Sequence, residues 1–264
     1  MTTRLRGDFF GQDRYPYHPH QGLVAAANTA LLLGVPLLLT GEPGCGKTDF
    51  AWAAARKLGR EPLCCYVRSD TRARDLLYHY DAVRRFADAQ GNRAEEAARP
   101  QGYIDLMPLG QALLAPQQEV VLIDEIDKAP RDLPNDLLRE LDQGHFDIPE
   151  IPPDAPLGPA LGAAAGDDLS GVRLQRRMQR QEERPMPLVI ITSNQERQLP
   201  DPFLRRCVFF HIPFPAWPDE APPKPGEPPR KDTLLAILRG RLPALPAAAA
   251  RPGAGHRTTA AARR

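Results

Sequence analysis

The sequence predicts an α/β fold in which a parallel sheet is flanked by helices. Three short apolar runs lead to this prediction, at residues 36–39, 120–124 and 188–194. The first run is followed by a glycine-rich loop and a helix-forming series, and the other two end in polar side chains. Such runs are typical of buried parallel strands, whose carboxyl ends open onto a ligand. The 264 residues suffice for one domain of this kind with a full core.

The loop after the first run reads Gly-Glu-Pro-Gly-Cys-Gly-Lys-Thr and precedes a helix-forming series at 49–58. This is the phosphate-binding motif G-x-x-x-x-G-K-T in the strand–loop–helix context that it requires. The alternative is a strand–turn–helix corner that is glycine-rich by chance, but this would not explain why the predicted strand and the predicted helix both lie where the motif requires them. Backbone N–H groups can turn toward phosphate oxygens here, Lys47 can reach the β- and γ-phosphates, and the Thr48 hydroxyl can ligate Mg²⁺. The predicted nucleotide-binding residues are Gly41, Glu42, Pro43, Gly44, Cys45, Gly46, Lys47 and Thr48.

Polar side chains follow the two other predicted strands. Asp124 ends the second run and Glu125 comes next. Beside a phosphate-binding loop, Asp124 is a candidate Mg²⁺ ligand, and Glu125 is a candidate base that deprotonates the attacking water. Alternatively, the two carboxylates only form an acidic turn at the strand end. Asn194 ends the third run and either holds the attacking water or a γ-phosphate oxygen, or is a turn former.

Two arginines, Arg205 and Arg206, lie just before the end of the segment 199–207, in which Asp201 can cap a short helix with Pro202 in its first turn. They either complement the carboxyl end of that helix or, in a ring, face the γ-phosphate of a neighbouring subunit. A second basic stretch, residues 173–184, is interpreted either as a finger that points at a substrate or DNA, or as a solvated hairpin.

Four segments in this order resemble the AAA+ ATPase superfamily: GEPGCGKT, VVLIDEID, VIITSN and LPDPFLRRC. Within that superfamily, PLLLTGEPGCGKT, DEIDKAP and LPDPFLRRC resemble the MoxR-like branch. The likeness covers about residues 20–215. It implies a P-loop NTPase fold with a parallel sheet in the strand order 5-1-4-3-2, and a ring, usually a hexamer. Asn194 matches the sensor-1 position, Arg206 matches the arginine finger best, and Arg205 is the second choice.

The resemblance also implies ATP and Mg²⁺ as ligands and a chaperone-like role. It implies client proteins that often carry von Willebrand factor A domains. Two functions remain open at this stage: a Mg²⁺-dependent ATPase that remodels or activates a partner, and an ATP-binding regulatory switch with little turnover. The second is motivated by the carboxyl-terminal helical lid of the family, which is expected to be reduced or missing here. The sequence does not favour a small-molecule kinase, because it shows no pattern that indicates a pocket for a second substrate.

The predicted domain organisation follows composition, because the 30 prolines cluster at 149–159, 213–229 and 243–252. We expect an N-terminal extension (1–20), a nucleotide-binding domain (21–215) and, inside it, a hairpin or insert (145–186). A proline-rich linker with a remnant lid helix (216–242) and a disordered tail (243–264) follow.

The overall charge and the cysteine pattern argue against several other classes of protein. A net charge of +1 gives no global reason to expect a nucleic-acid or membrane partner. The four cysteines lack metal-ligand spacing, which favours a reduced, cytoplasmic protein. No apolar stretch reaches the ~20 residues of a membrane span.

Overall fold

The computed structural model describes residues 17–158, 161, 169 and 171–214. The strands are β1 Leu37–Thr40, β2 Leu63–Tyr66, β3 Tyr78–Tyr80, β4 Ile104–Leu106, β5 Val120–Asp124, β6 His145–Asp147, β7 Arg177–Gln179, β8 Leu188–Ser193 and β9 Val208–His211. The α-helices are α1 Gln21–Leu33, α2 Lys47–Lys57, α3 Ala73–Leu77, α4 Ala82–Gln90, α5 Ala94–Ala97, α6 Pro108–Leu114, α7 Leu133–Gln143 and α8 Asp201–Leu204.

The central sheet has five parallel strands in the order β2-β5-β8-β1-β9. Numbered along the chain within this sheet, the order is 2-3-4-1-5, which reads 5-1-4-3-2 from the other edge. The predicted α/β fold and its strand order are therefore confirmed. Helices pack on the sheet, with α2 against β5 and β8, α6 against β2 and β5, and α1 against β1, β8 and β9.

The three apolar runs form the buried centre of this sheet. All residues of β1 and β8 are buried, as are the first four of β5. The strand ends are aligned, because Thr40 pairs with Ser193 and Ile123 pairs with Ile191. The loops that follow β1, β5 and β8 consequently leave the sheet at the same edge, where a ligand site is expected in parallel sheets.

Within the described residues, two small antiparallel sheets lie outside the central one. β3 pairs with β4, and α4 and α5 lie between them in the chain. β6 pairs with β7, and both strands lie within residues 145–186.

Several sequence predictions lie outside the described residues. These are most of the N-terminal extension, the linker and remnant lid helix at 216–242, and the tail at 243–264. The prediction that the lid is reduced or missing lies there too, and the domain boundaries stay predictions.

Candidate functional site

The phosphate-loop motif forms the turn between β1 and α2. Gly41, Gly44 and Gly46 have φ angles of 145°, 82° and 91°, which L side chains rarely adopt. At Gly41 there is also no room, because a Cβ atom would lie 2.5 Å from the carbonyl oxygen of Ile212. The loop conformation therefore depends on glycine, as the motif predicts.

Lys47 is the first residue of α2, and its side chain turns back into the loop. Its Nζ atom donates hydrogen bonds to the carbonyl oxygens of Gly41 at 2.7 Å and Glu42 at 3.0 Å. Only 7% of the residue is exposed. A positive charge is thus held inside the glycine-rich loop, in the position that binding of a polyphosphate requires.

The two predicted metal ligands are in contact. The Thr48 hydroxyl on α2 donates to the Asp124 carboxylate at the end of β5, 3.1 Å from Oδ1. The described part of the chain contains no group of three or more His, Cys, Asp or Glu side chains that could hold a metal ion, at this site or at any other. A hydroxyl and a single carboxylate fit Mg²⁺, which keeps several water molecules and takes further oxygens from substrate phosphates.

Glu125 and Asn194 are also brought together. Asn194 Nδ2 donates to Glu125 Oε1 at 3.3 Å, and Lys128 Nζ lies 2.6 Å from Glu125 Oε2. The hydrogen bond and the negative charge of Glu125 raise the pKa of Lys128. Both oxygens of the candidate base therefore have a partner from the chain itself.

The backbone of Glu125 is in the left-handed conformation, with φ 59° and ψ 51°. For a residue with a Cβ atom this conformation is strained, and such strain clusters at functional sites. It marks the point where β5 ends and the chain turns into the short 3₁₀ helix Ile126–Lys128.

Asp127, for which the sequence motifs predicted no role, also belongs to this group. It is 3% exposed, and its Oδ2 atom accepts from the backbone N–H groups of Asn194 at 3.2 Å and Glu196 at 3.0 Å. Its Oδ1 atom has no hydrogen-bond partner among the described residues. The one available signal was its place in the acidic run after β5, which does not distinguish a buried carboxylate from an exposed one.

The arginines at the end of α8 lie apart from this group. Arg205 and Arg206 are exposed, and Arg206 Nε lies 3.3 Å from Asp142 Oδ2 on α7. Within the described part of the chain, neither arginine has a hydrogen bond or ion pair with the phosphate loop or with Asp124. The described contacts therefore give neither arginine a role at the phosphate loop of its own subunit.

The arginines of the basic stretch at 173–184 form hydrogen bonds and an ion pair within the chain. Its arginines donate mainly to backbone carbonyl oxygens around the β6–β7 pair, and Arg177 forms an ion pair with Asp147 at 2.8 Å. The other pairs are Arg173 with Gly158, Arg176 with Ile151, Arg180 with Arg184, and Arg184 with Leu114. These contacts favour the hairpin interpretation over a free basic finger.

Among the helices that the structure describes, none has both the length and the apolar character needed to cross a membrane. Comparison with curated proteins finds no match. A crystal structure from Cytophaga hutchinsonii, described as a "putative ATPase", aligns at 16% identity with a TM-score of 0.44. The alignment covers 82% of this chain and 48% of that one, so the chain spans about half of that protein's length.

Residues 36–206 match the family described as AAA domain (dynein-related subfamily). The matched segment begins just before β1, ends just after α8, and includes every residue of the group around the phosphate loop. Because this match covers well over half of the sequence, the chain belongs to the AAA domain family, in its dynein-related subfamily.

Proposed function

We propose that this chain is a Mg²⁺-dependent ATPase of the MoxR-like branch of AAA+ proteins, which works in a ring to remodel or activate a partner protein. One observation carries the proposal. Four side chains of suitable chemistry (Thr48, Asp124, Glu125 and Asn194) are joined in pairs at the edge of the sheet where the phosphate loop lies.

In this proposal, ATP is the substrate, and its phosphates are bound by the Lys47 ammonium and by backbone N–H groups of residues 41–48, of which Pro43 has none. Thr48 and Asp124 would hold Mg²⁺, which neutralises charge on the β- and γ-phosphates when it is bound. Glu125 takes a proton from the attacking water, and Asn194 orients that water. Lys128 must release Glu125 Oε2 for this step, because a carboxylate oxygen engaged by an ammonium is a weaker base.

A ring is part of the proposal, because AAA ATPases commonly assemble in this way. Arg206, or Arg205 in its place, would reach the γ-phosphate bound to the neighbouring subunit. The exposure of both side chains supports a role outside their own subunit. A hexamer and a client with a von Willebrand factor A domain are proposed on family resemblance alone.

The second candidate function, an ATP-binding switch with little turnover, is favoured by two specific contacts. Glu125 is engaged on both oxygens, by Asn194 and by Lys128. If this arrangement persisted with nucleotide bound, ATP would be held without efficient hydrolysis.

Two substitutions test the proposal: the first tests nucleotide binding, which both functions require, and the second separates the two functions. Lys47→Ala should abolish nucleotide binding, measured by titration with a fluorescent ATP analogue, because it removes the cation inside the loop. Glu125→Gln should bind nucleotide normally but release phosphate about 10²–10⁴-fold more slowly, which is the usual contribution of a general base. Glu95→Gln, which changes an exposed carboxylate on α5, is the matched control and should keep the wild-type rate.

A wild-type rate of phosphate release equal to that of Glu125→Gln, with nucleotide affinity intact, would favour the switch. Unchanged nucleotide affinity in Lys47→Ala would contradict both functions.

A further inference from the structure

We infer that Thr192 is a positioning residue that fixes Asp124 and Glu125 relative to each other, an inference that rests on the proposed function. Thr192 lies in β8, next to β5, and is 1% exposed. Its hydroxyl contacts both acidic residues. It donates to Asp124 Oδ1 at 2.6 Å and accepts from the backbone N–H of Glu125 at 2.9 Å.

The direction of these two hydrogen bonds is fixed by chemistry. The N–H of Glu125 can only donate, so the Thr192 oxygen accepts there and its single proton is directed to the carboxylate. A bond from a hydroxyl to a carboxylate is of the short, charge-assisted kind, in agreement with the 2.6 Å separation. The hydroxyl thus holds Asp124 by its Oδ1 atom.

The same hydroxyl also accepts a hydrogen bond from the strained backbone of Glu125. A left-handed residue with a Cβ atom is strained and persists only where its surroundings hold it. The bond from the Glu125 N–H to Thr192 is such a restraint, at the residue that turns the chain out of β5. Thr192 therefore acts on the metal-ligating carboxylate through its proton and on the base through its oxygen.

This arrangement assigns Thr192 a role that β-strand packing alone would not give it. Valine is close to threonine in size and would fill much of the same buried space, but it lacks the hydroxyl. It would leave the N–H of Glu125 without its acceptor and Asp124 without one of its donors. The hydroxyl, and not the volume of the side chain, is what the inference concerns.

The test compares Thr192→Ser, Thr192→Ala and Thr192→Val. Serine and alanine both lack the methyl group, so they differ only in the hydroxyl, and this pair remains informative even if Thr192→Val fails to fold. The matched control is Ser193→Ala, which removes the neighbouring buried hydroxyl. The Ser193 hydroxyl accepts from Gln195 N and has no described bond to the carboxylates. Thermal melting shows which variants are folded.

The first readout is nucleotide affinity, measured with a fluorescent ATP analogue in EDTA and across a Mg²⁺ titration. All folded variants should bind alike in EDTA, because the phosphate loop is untouched. Thr192→Ala and Thr192→Val should need more Mg²⁺ to reach full affinity, whereas Thr192→Ser and Ser193→Ala should behave like the wild type. The second readout is phosphate release, in which loss of the hydroxyl should lower kcat about 10- to 100-fold with little change in KM.

Equal Mg²⁺ requirement and equal kcat in Thr192→Ser and Thr192→Ala would overturn the inference. The proposed function fails separately, if the wild-type protein releases no more phosphate than Lys47→Ala. In that case the Mg²⁺ titration alone decides the role of Thr192, since nucleotide binding does not require turnover.

Discussion

Asp127 illustrates how a single buried residue can organise the candidate site. Its Oδ2 atom holds the backbone N–H groups of Asn194 and Glu196, and these belong to the loop that follows β8. Asp127 itself belongs to the loop that follows β5. The contact therefore ties together the two loops that carry the candidate base and Asn194, and a carboxylate that accepts backbone N–H bonds in this way is costly to replace.

Cysteine reactivity gives a prediction about individual residues. Burial raises the pKa of Cys65 and of Cys207 to about 12, so at pH 8 each holds about a thousandfold less thiolate than an ordinary thiol. Burial also raises the pKa of Cys64. We expect iodoacetamide to label Cys45 first, because it is half-buried on the phosphate loop, 3.9 Å from Lys47 Nζ. Mass spectrometry of peptides over time measures the order of labelling.

ATP should slow the labelling of Cys45 but leave that of Cys64 unchanged, because only the first lies on the loop. Lys47→Ala provides the control, since ATP should no longer protect Cys45 in that variant. Equal labelling rates with and without ATP in the wild-type protein would contradict a phosphate-binding loop at this position.

At the scale of elements, the sequence was sufficient for the central sheet but not for what is attached to it. The buried strands were predicted because each is a continuous apolar run that ends in polar residues, and the strand order came from the family resemblance. Residues 70–90, in contrast, have helical spacing, yet the chain forms α3, then β3, then α4. Tyr78–Tyr80 pairs with Ile104–Leu106, more than twenty residues away, and such pairing overrides local periodicity.

The candidate site likewise contains residues that the sequence predicts and residues that it does not. The residues on its motifs could be found because the chemistry requires those residue types at fixed spacing. Thr192 and Asp127 could not, because their role depends on contacts between loops that only the parallel alignment of β5 and β8 brings together. A threonine in an apolar strand is otherwise simply a common strand residue.

The packing of α6 against α3 gives a prediction for one element. A Cβ atom on Gly110 would lie 2.0 Å from the carbonyl oxygen of Leu77, which already accepts from Met107 N. Gly110→Ala should therefore lower the free energy of unfolding by about 1–3 kcal/mol through overpacking, although alanine favours a helix by about 1 kcal/mol. Urea denaturation measures the change.

The matched control is Gly102→Ala. Gly102 is exposed and a Cβ atom there would meet nothing within 4 Å, so the change should stay within about 0.5 kcal/mol. If both variants were as stable as the wild type, α6 would not be held closely against the end of α3.

At the scale of the whole molecule, the candidate site residues lie in two places: around the phosphate loop and at the exposed end of α8. Residues on α2, β5 and β8 surround the phosphate loop, whereas Arg205 and Arg206 stand exposed at the end of α8. The ion pair of Arg206 with Asp142 is about half exposed on both sides, so it contributes little and is readily exchanged for a stronger partner. A phosphate of a neighbouring subunit would be such a partner.

The last prediction concerns mixtures of two inactive variants. Arg206→Ala subunits keep the base, and Glu125→Gln subunits keep the arginine, so an interface between them can contain one complete site. Each variant alone should be slowed severely, since an arginine supplied in trans is typically worth about 10³–10⁵ in rate. With random assembly of equal amounts, about one quarter of interfaces in a ring are complete, and phosphate release should recover to roughly that fraction of the wild-type rate.

The same mixture made with Arg205→Ala decides which arginine acts, because only the variant that removes the finger is inactive alone and recovers on mixing. Mass-resolved measurement of the oligomer, at each protein concentration used for the rate assay, shows that the variants still assemble. If both variants are inactive alone and their mixture is oligomeric but does not regain phosphate release, the arginine acts within its own subunit or outside catalysis. Recovery that grows with protein concentration is instead expected if the neighbouring subunit completes the site, because assembly and turnover then depend on the same contact.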